Sequence, residues 1–234
     1  MIKGFIFKLC NKILKRDIHY AHDIPTSYLL GTILNRGWMM TRGSVRKLRF
    51  HKAGRIFFCG KKVQIRCAGK MSIGSGVSIK DGVRIDALSQ EGVRLGNNVS
   101  IGENCIIMCS GSISEVGKGL IIGDNTGIGN DCFFGAAGGI EIGSDVAMGQ
   151  NVRFHAENHE FSDPNKLIKD QGVSHKGIKI GNNCWIGAGA VFLDGAEIGE
   201  GCVVGANAVV NKVFSDNVVL VGVPARAIMK RINS

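Results

Sequence analysis

The sequence predicts an all-β solenoid, a β-helix of stacked short coils, and three observations carry that prediction. The first is a six-residue period. From Ile73 to Val210 an anchor residue, mostly aliphatic, returns every six positions and is usually followed by Gly: Ile73, Ile79, Ile85; Leu95, Ile101, Ile107, Ile113; Ile122, Ile128, Phe134; Ile142, Met148, Phe154; then Ile180, Ile186, Phe192, Ile198, Val204, Val210. A period of six is neither the 3.6 of a helix nor the 2 of a simple strand, and repeats of this kind specify a β-helix. The second is a column of small residues four positions after the anchors: Val77, Val83, Val99, Cys105, Thr126, Cys132, Val146, Val152, Cys184, Ala190, Cys202 and Ala208. Two inward columns follow, and stacked coils bury one another at the ordinary strand spacing of about 4.8 Å. The third is the set of Gly and Asn residues beside the anchors, Gly96-Asn97-Asn98, Gly123-Asp124-Asn125 and Gly181-Asn182-Asn183, which suit corners with unusual dihedrals.

Taken in order, residues 1–58 form a basic, helical N-terminal cap or membrane-proximal segment. Ile2, Phe5, Ile6, Leu9 and Ile13 share one helical stripe, with Lys3, Lys8, Lys12 and Lys15 largely elsewhere. Such a helix either lies on an anionic bilayer or packs on the solenoid or a neighbouring subunit. From Thr26 to Phe50 the chain is apolar and then basic, continuing the helical cap. The β-helix is expected over 59–222, with repeats irregular near Ile56 and regular from Ile73, and a short helical tail over 223–234.

Charge divides the chain in the same place. Residues 1–66 hold fifteen Lys and Arg against two acids, whereas the remainder carries fourteen against seventeen. The excess points to an anionic partner surface, and with no helix-turn-helix, zinc-finger or RNA-binding signature it is a membrane rather than nucleic acid. The apolar run at the start is broken by Lys8, Asn11 and Lys12, so no secretory signal is read, and no run reaches the roughly 20 residues that span a bilayer. A cytoplasmic location, peripheral at the inner face of the membrane, is the expectation. Cys105, Cys132, Cys184 and Cys202 fall in the small inward column and read as core residues, while Cys10, Cys59, Cys67 and Cys109 show no ligand-type pairing.

Anchor spacings of ten, nine and eight, ending at Leu95, Ile122 and Ile142, mark small corner insertions. Between Phe154 and Ile180 lies a far larger one, spanning 155–177, with His155, Glu157, Asn158, His159, Glu160, Asp163 and His175. A polar excursion from a regular solenoid is where function concentrates.

The stretch IGNNCWIGAGAVFLDGAEIGEGCVVGANAVVNKVFSDNVVLVGVPAR, Ile180 to Arg226, resembles the C-terminal coils of bacterial sugar and antibiotic O-acetyltransferases. Roughly the last two-thirds of the chain resembles the hexapeptide-repeat acyltransferases. The resemblance implies a left-handed parallel β-helix, acetyl-CoA as co-substrate with no metal, and a homotrimer with active sites between subunits. In NVRFHAENHEFSDP, Asn151 to Pro164, it implies that His159 is the catalytic base. For CoA it implies Trp185 beside the pantetheine arm, Ala188 and Ala206 against its amides, and Lys212 and Arg226 facing the nucleotide phosphates. Asn130 lies near the position, Gly129 by an ungapped count, where the family uses an Asn to hold the acceptor sugar.

The chemistry asks for these residue types. An acceptor hydroxyl is a poor nucleophile until its proton is taken, and imidazole titrates near working pH. His159 takes that proton as the hydroxyl attacks the thioester carbonyl, then passes it to the departing sulfur. His155 is an acceptor contact or a surface histidine, and Asn158 or a backbone N–H stabilises the oxyanion. Trp185 packs on the cofactor or on a neighbouring subunit.

The function expected is acetyl-CoA-dependent O-acetylation of a saccharide hydroxyl, in surface-polysaccharide or sugar-precursor synthesis. The alternatives are acetylation of an antibiotic or amino sugar, a zinc hydratase of carbonic-anhydrase type using His155, His159 and His175, and a non-catalytic scaffold.

Overall fold

The computed structural model describes residues 24–112 and 114–231. The amphipathic stripe of residues 1–15, Cys10 and the anchor Ile113 lie outside the described residues. The rest is a β-helix of three parallel sheets. Face one stacks eight strands, from Lys52–Ala53 through Met71–Ile73, Val93–Leu95, Leu120–Ile122, Ile140–Ile142, Ile178–Ile180 and Glu197–Ile198 to Val213–Phe214. Face two runs from Phe57–Cys59 to Val218–Val221, and face three from Gln64–Arg66 to Val209–Val210.

Every anchor among the described residues points inward and is buried, and so is every member of the small column. On face three the anchors Phe134, Phe154 and Phe192 stack with centroids 4.9 and 4.8 Å apart and planes tilted by only 11° and 9°. That spacing is the strand spacing itself, so register between coils brings each ring onto the next. Cys105, Cys132, Cys184 and Cys202 are buried free thiols, as the small-column pattern predicts. Cys59 and Cys109 are buried as well, and burial pushes the Cys109 thiol up to about 12.

The corner between faces one and two is a ladder. Backbone N–H groups of Ser75, Asn97 and Ser144 donate to the side chains of Asn97, Asp124 and Asn182 one coil on, at 2.9, 2.6 and 2.8 Å. Asn98, Asn125 and Asn183 adopt positive φ of 58°, 57° and 53°, as expected of corner residues. Gly123 differs from that expectation, since its φ is not left-handed. It is glycine because a Cβ there would sit 2.6 Å from the backbone of Gly143 and Ser144 in the next coil.

The solenoid starts at Lys52, ahead of residue 59. Ala53, Cys59 and Ile65 pair in register with Ile73, Ile79 and Ile85, but Ala and Cys are weak anchors and hide the period. The expected C-terminal helix is replaced by a strand, Arg226–Lys230, antiparallel to Val218–Val221. The last coil leaves that strand's edge unpaired, and hydrogen bonds to it outweigh local helix propensity.

Helix α1, Thr26–Arg46, crosses the open N-terminal end. A Cβ on Gly43 would collide with the Phe57 backbone, so the helix sits directly on the first coil. The carbonyls there have no preceding coil to bond. Arg42 Nε donates to the Cys59 carbonyl at 2.9 Å, Arg46 to Val63 at 2.8 Å and Lys47 Nζ to Arg55 at 2.9 Å. Among the described residues no helix is long and apolar enough to cross a membrane.

Candidate active site

All the excursions leave from one corner, between faces three and one. The short ones cover 87–92, 109–119 and 136–139, and the long one runs from Ala156 to Gly177. Its root is pinned on both sides. Buried Ala156 donates to the Gly135 carbonyl at 2.9 Å and accepts from Gly138 at 2.8 Å. Where the chain returns, Asp194 in the following coil, only 7% exposed, accepts from Lys176 N–H at 2.9 and 3.0 Å and from Gly177 N–H at 2.8 Å.

Between these pins the excursion makes its own antiparallel ladder, Asn158 opposite Ser174 and His159 opposite Val173. One step nearer the solenoid, His175 Nε2 meets Glu157 Oε2 at 2.9 Å, each side chain 32% exposed. Farther out, the Gln171 side chain ties the turn by accepting from Asp163 N–H at 3.0 Å and donating to the Asp163 and Lys166 carbonyls at 2.9 and 3.0 Å. His159 thus stands exposed on a short braced stalk, with Glu157 already engaged by the other histidine.

His155 ends the face-three strand Arg153–His155 and lies against Phe133, centroids 5.5 Å apart. Partial burial, then the neighbouring Arg153 guanidinium, hold its pKa below the ordinary imidazole value. Among the described residues no three His, Cys, Asp or Glu side chains group as a metal cage.

The other residues singled out by sequence fall elsewhere on the same chain. Ala188 and Ala206 occupy the corner between faces two and three, where a Cβ on Gly149 or Gly187 would meet their backbones. Asn130 belongs to that same corner column, and its side-chain oxygen accepts from the Glu103 N–H at 2.9 Å. Trp185 projects from face two, 60% exposed, between Ala147 and Val203. Arg226 opens the C-terminal strand opposite Val221. Lys212 sits at the face three to face one corner, its ammonium 5.3 Å from the Phe214 ring centroid. One chain therefore brings Asn158, His159, Glu157 and His175 together, and sets Ala188, Ala206 and Asn130 in a separate column. Asp194 escaped the sequence reading. Its only local signal is an acid two residues after the anchor Phe192.

On face two the outward positions Ser100, Gly127 and Ala147 are small and, with Met148, line a shallow depression. Phe161, Leu167 and Ile168 on the excursion are exposed apolar side chains.

Comparison with known proteins agrees with this architecture. Residues 177–212 match the family described as bacterial transferase hexapeptide (six repeats). A Mycobacterium tuberculosis protein named as an acetyltransferase is 30% identical over 228 residues, covering 92% of this chain and 66% of its own length. A Dictyostelium discoideum protein, also named as an acetyltransferase, is 46% identical over 90 residues, which is 38% of this chain and 46% of that one. The chain thus spans less than two thirds of the length of either relative. Among solved structures, a variant of AntD, an N-acyltransferase from Bacillus cereus in complex with dTDP-4-amino-4,6-dideoxyglucose and coenzyme A, superposes with a TM-score of 0.54 at 22% identity, covering 82% of this chain and 90% of that one. A second AntD variant, in complex with dTDP and coenzyme A, gives 0.52 at 21% identity, with 81% and 89% covered. The six-residue anchors and the stacked parallel faces are thus those of the hexapeptide-repeat fold, which the AntD structures share, and residues 177–212 match its bacterial transferase repeats.

Proposed function

We propose that the chain is an acetyl-CoA-dependent O-acetyltransferase that acylates a saccharide hydroxyl, with His159 as the general base. The observation that carries the reading is the stalk. The solenoid's one long excursion is braced by Asp194 and Gln171 and holds the exposed imidazole of His159, while Glu157 two residues before it is engaged by His175. In the reaction the acceptor oxygen attacks the thioester carbonyl as its proton passes to His159, the carbon–sulfur bond breaks, and the proton then reaches the thiolate of CoA. A positioned base contributes about 10² to 10⁴ in rate, and holding both substrates in one cleft contributes the rest. The oxyanion is assigned to Asn158 or to a backbone N–H, and His155 and Asn130 are assigned to the acceptor.

The cofactor is assigned to Trp185, Ala188, Ala206, Lys212 and Arg226. Trp185 and Arg226 lie on face two and Ala188 and Ala206 on its corner with face three, apart from the corner that carries the His159 excursion and Lys212, and this separation within one chain supports a homotrimer whose sites form between subunits. The exposed Phe161, Leu167 and Ile168 give each copy an apolar surface for such a contact. Names of the relatives support acetyl transfer, and the nucleotide sugar in the AntD complex supports a saccharide acceptor. The reaction is read as cytoplasmic, with the basic N-terminal end toward the inner face of the membrane.

Calorimetric titration with acetyl-CoA tests the class, with one site per subunit expected. His159→Ala should keep that binding and lose acetyl transfer to sugar acceptors by about 10² to 10⁴. Retained transfer would remove His159 from the role, and no CoA binding at millimolar concentration would remove the reaction.

A further inference from the structure

Helix α1 is apolar on two sides. Its solenoid-facing side buries Leu29 and Met39 and carries Arg42 and Arg46, spent on end carbonyls, and Arg36, which lies 5.1 Å over the Phe58 ring. The opposite side shows solvent Leu30, Leu34, Trp38 and Val45, with Leu34 65% and Trp38 67% exposed, and Leu48 in the following turn is 81% exposed. With Thr41, positions 30, 34, 38, 41, 45 and 48 recur at spacings of three and four, which makes one continuous stripe without a charge.

The rim around this stripe is cationic. Residues 24–66 hold ten Lys and Arg and no Asp or Glu. The side chains of Arg49, Lys52, Arg55, Lys61 and Lys62 are exposed and make no ion pair among the described residues, although the Lys61 backbone N–H donates to Asp81, whereas Arg66 is paired with Asp86 at 3.3 Å. All belong to the first coil or to the turn that leads into it, at the end that α1 crosses.

We propose that this end of the solenoid is a docking surface for an anionic lipid bilayer. The apolar stripe enters the boundary between headgroups and acyl chains, and the unpaired cations meet lipid phosphates, the combination that holds interfacial helices. Charge complementarity selects this occupant over a second copy, because two copies meeting stripe to stripe would press two like-charged rims together. The inference deepens the membrane-proximal reading above and does not depend on the acyl-transfer chemistry.

Trp38 reports on the surface directly, since Trp185 is the only other tryptophan. In the full chain carrying Trp185→Phe, Trp38 emission should shift to the blue with vesicles containing phosphatidylglycerol, and the protein should sediment with them but not with pure phosphatidylcholine. Leu34→Glu with Val45→Glu, both on the solvent side and so compatible with folding, should weaken sedimentation at least about tenfold. Lys61→Glu with Lys62→Glu should do the same, and added salt should weaken the unmodified surface. No partition into anionic vesicles, equal partition into neutral ones, or partition unchanged by Leu34→Glu with Val45→Glu would overturn the proposal. Light scattering without vesicles gives the last arm: a larger assembly that Leu34→Glu with Val45→Glu dissolves would assign the face to a second copy instead. Acetyl transfer to a soluble acceptor is read separately, so failure here leaves the reaction standing.

Discussion

The corner between faces one and two and the corner between faces three and one turn the same backbone in coil after coil, yet they have opposite tolerance for irregularity. At the first, side-chain oxygens of Asn97, Asp124 and Asn182 reach the preceding coil's backbone N–H groups, and glycines such as Gly123 leave no room for a methyl group. At the second, Asp194 reaches back in this way to Lys176 and Gly177 but the contact is not repeated coil after coil among the described residues, and every excursion leaves the solenoid there. A repeated side-chain ladder enforces regularity, and insertions are accepted where it is missing.

Insertion is the harshest way to break this comparison. One alanine between Asn182 and Asn183 shifts a strand register and is expected to cost about 4 kcal/mol or more, whereas one between Gly111 and Ser112 should cost within about 1 kcal/mol. Equal losses in chemical denaturation would refute the distinction. Gly123→Ala forces a Cβ to 2.6 Å from the next coil and should destabilise by about 1–3 kcal/mol. At Gly111 the same methyl would rest 3.5 Å from Glu157 and should change stability by less than about 0.5 kcal/mol.

Asp194→Ala sharpens the view of the permissive corner. Removing the acceptor of the Lys176 and Gly177 N–H groups should cost about 1–3 kcal/mol. Amide exchange should quicken at those two positions before anywhere in the stacked faces. A uniform increase would mean that the excursion is not a separable unit.

The smallest effect concerns His155. Its pKa is depressed by partial burial and by Arg153, so the unfolded chain binds a proton more readily than the folded one. Stability from this residue is intact above the ordinary imidazole pKa of about 6.5 and is lost as pH falls through the depressed folded value. His155→Gln should therefore flatten the fall in melting temperature between neutral and mildly acidic pH, by about 1 °C or less. A steeper fall would show that the imidazole is stabilised in its charged form.

The anchors were legible in the sequence because each faces one environment, the core, and repeats at one interval. The first coil was not, because Ala53 and Cys59 fill anchor positions without looking like anchors. The C-terminal strand was hidden for a different reason, since only the unpaired edge at Val218–Val221 gives Arg226–Lys230 its conformation. The excursion that carries His159 could be found from the interruption of a pattern. Its support could not, because Val173, Gln171 and Asp194 act through contacts that spacing along the chain does not display. The N-terminal charge excess was plain in composition, but composition does not tell that Arg42, Arg46 and Lys47 point at carbonyls while Lys61 and Lys62 point at solvent.

The three cations on those end carbonyls also settle how long the solenoid can be. A stack of parallel strands resembles a fibre tip, where each unpaired carbonyl offers a template to the next strand. Guanidinium and ammonium groups donate but cannot accept, so a terminus finished with them gives an incoming strand nothing to copy. Helix α1 thereby turns a self-propagating architecture into one of fixed length.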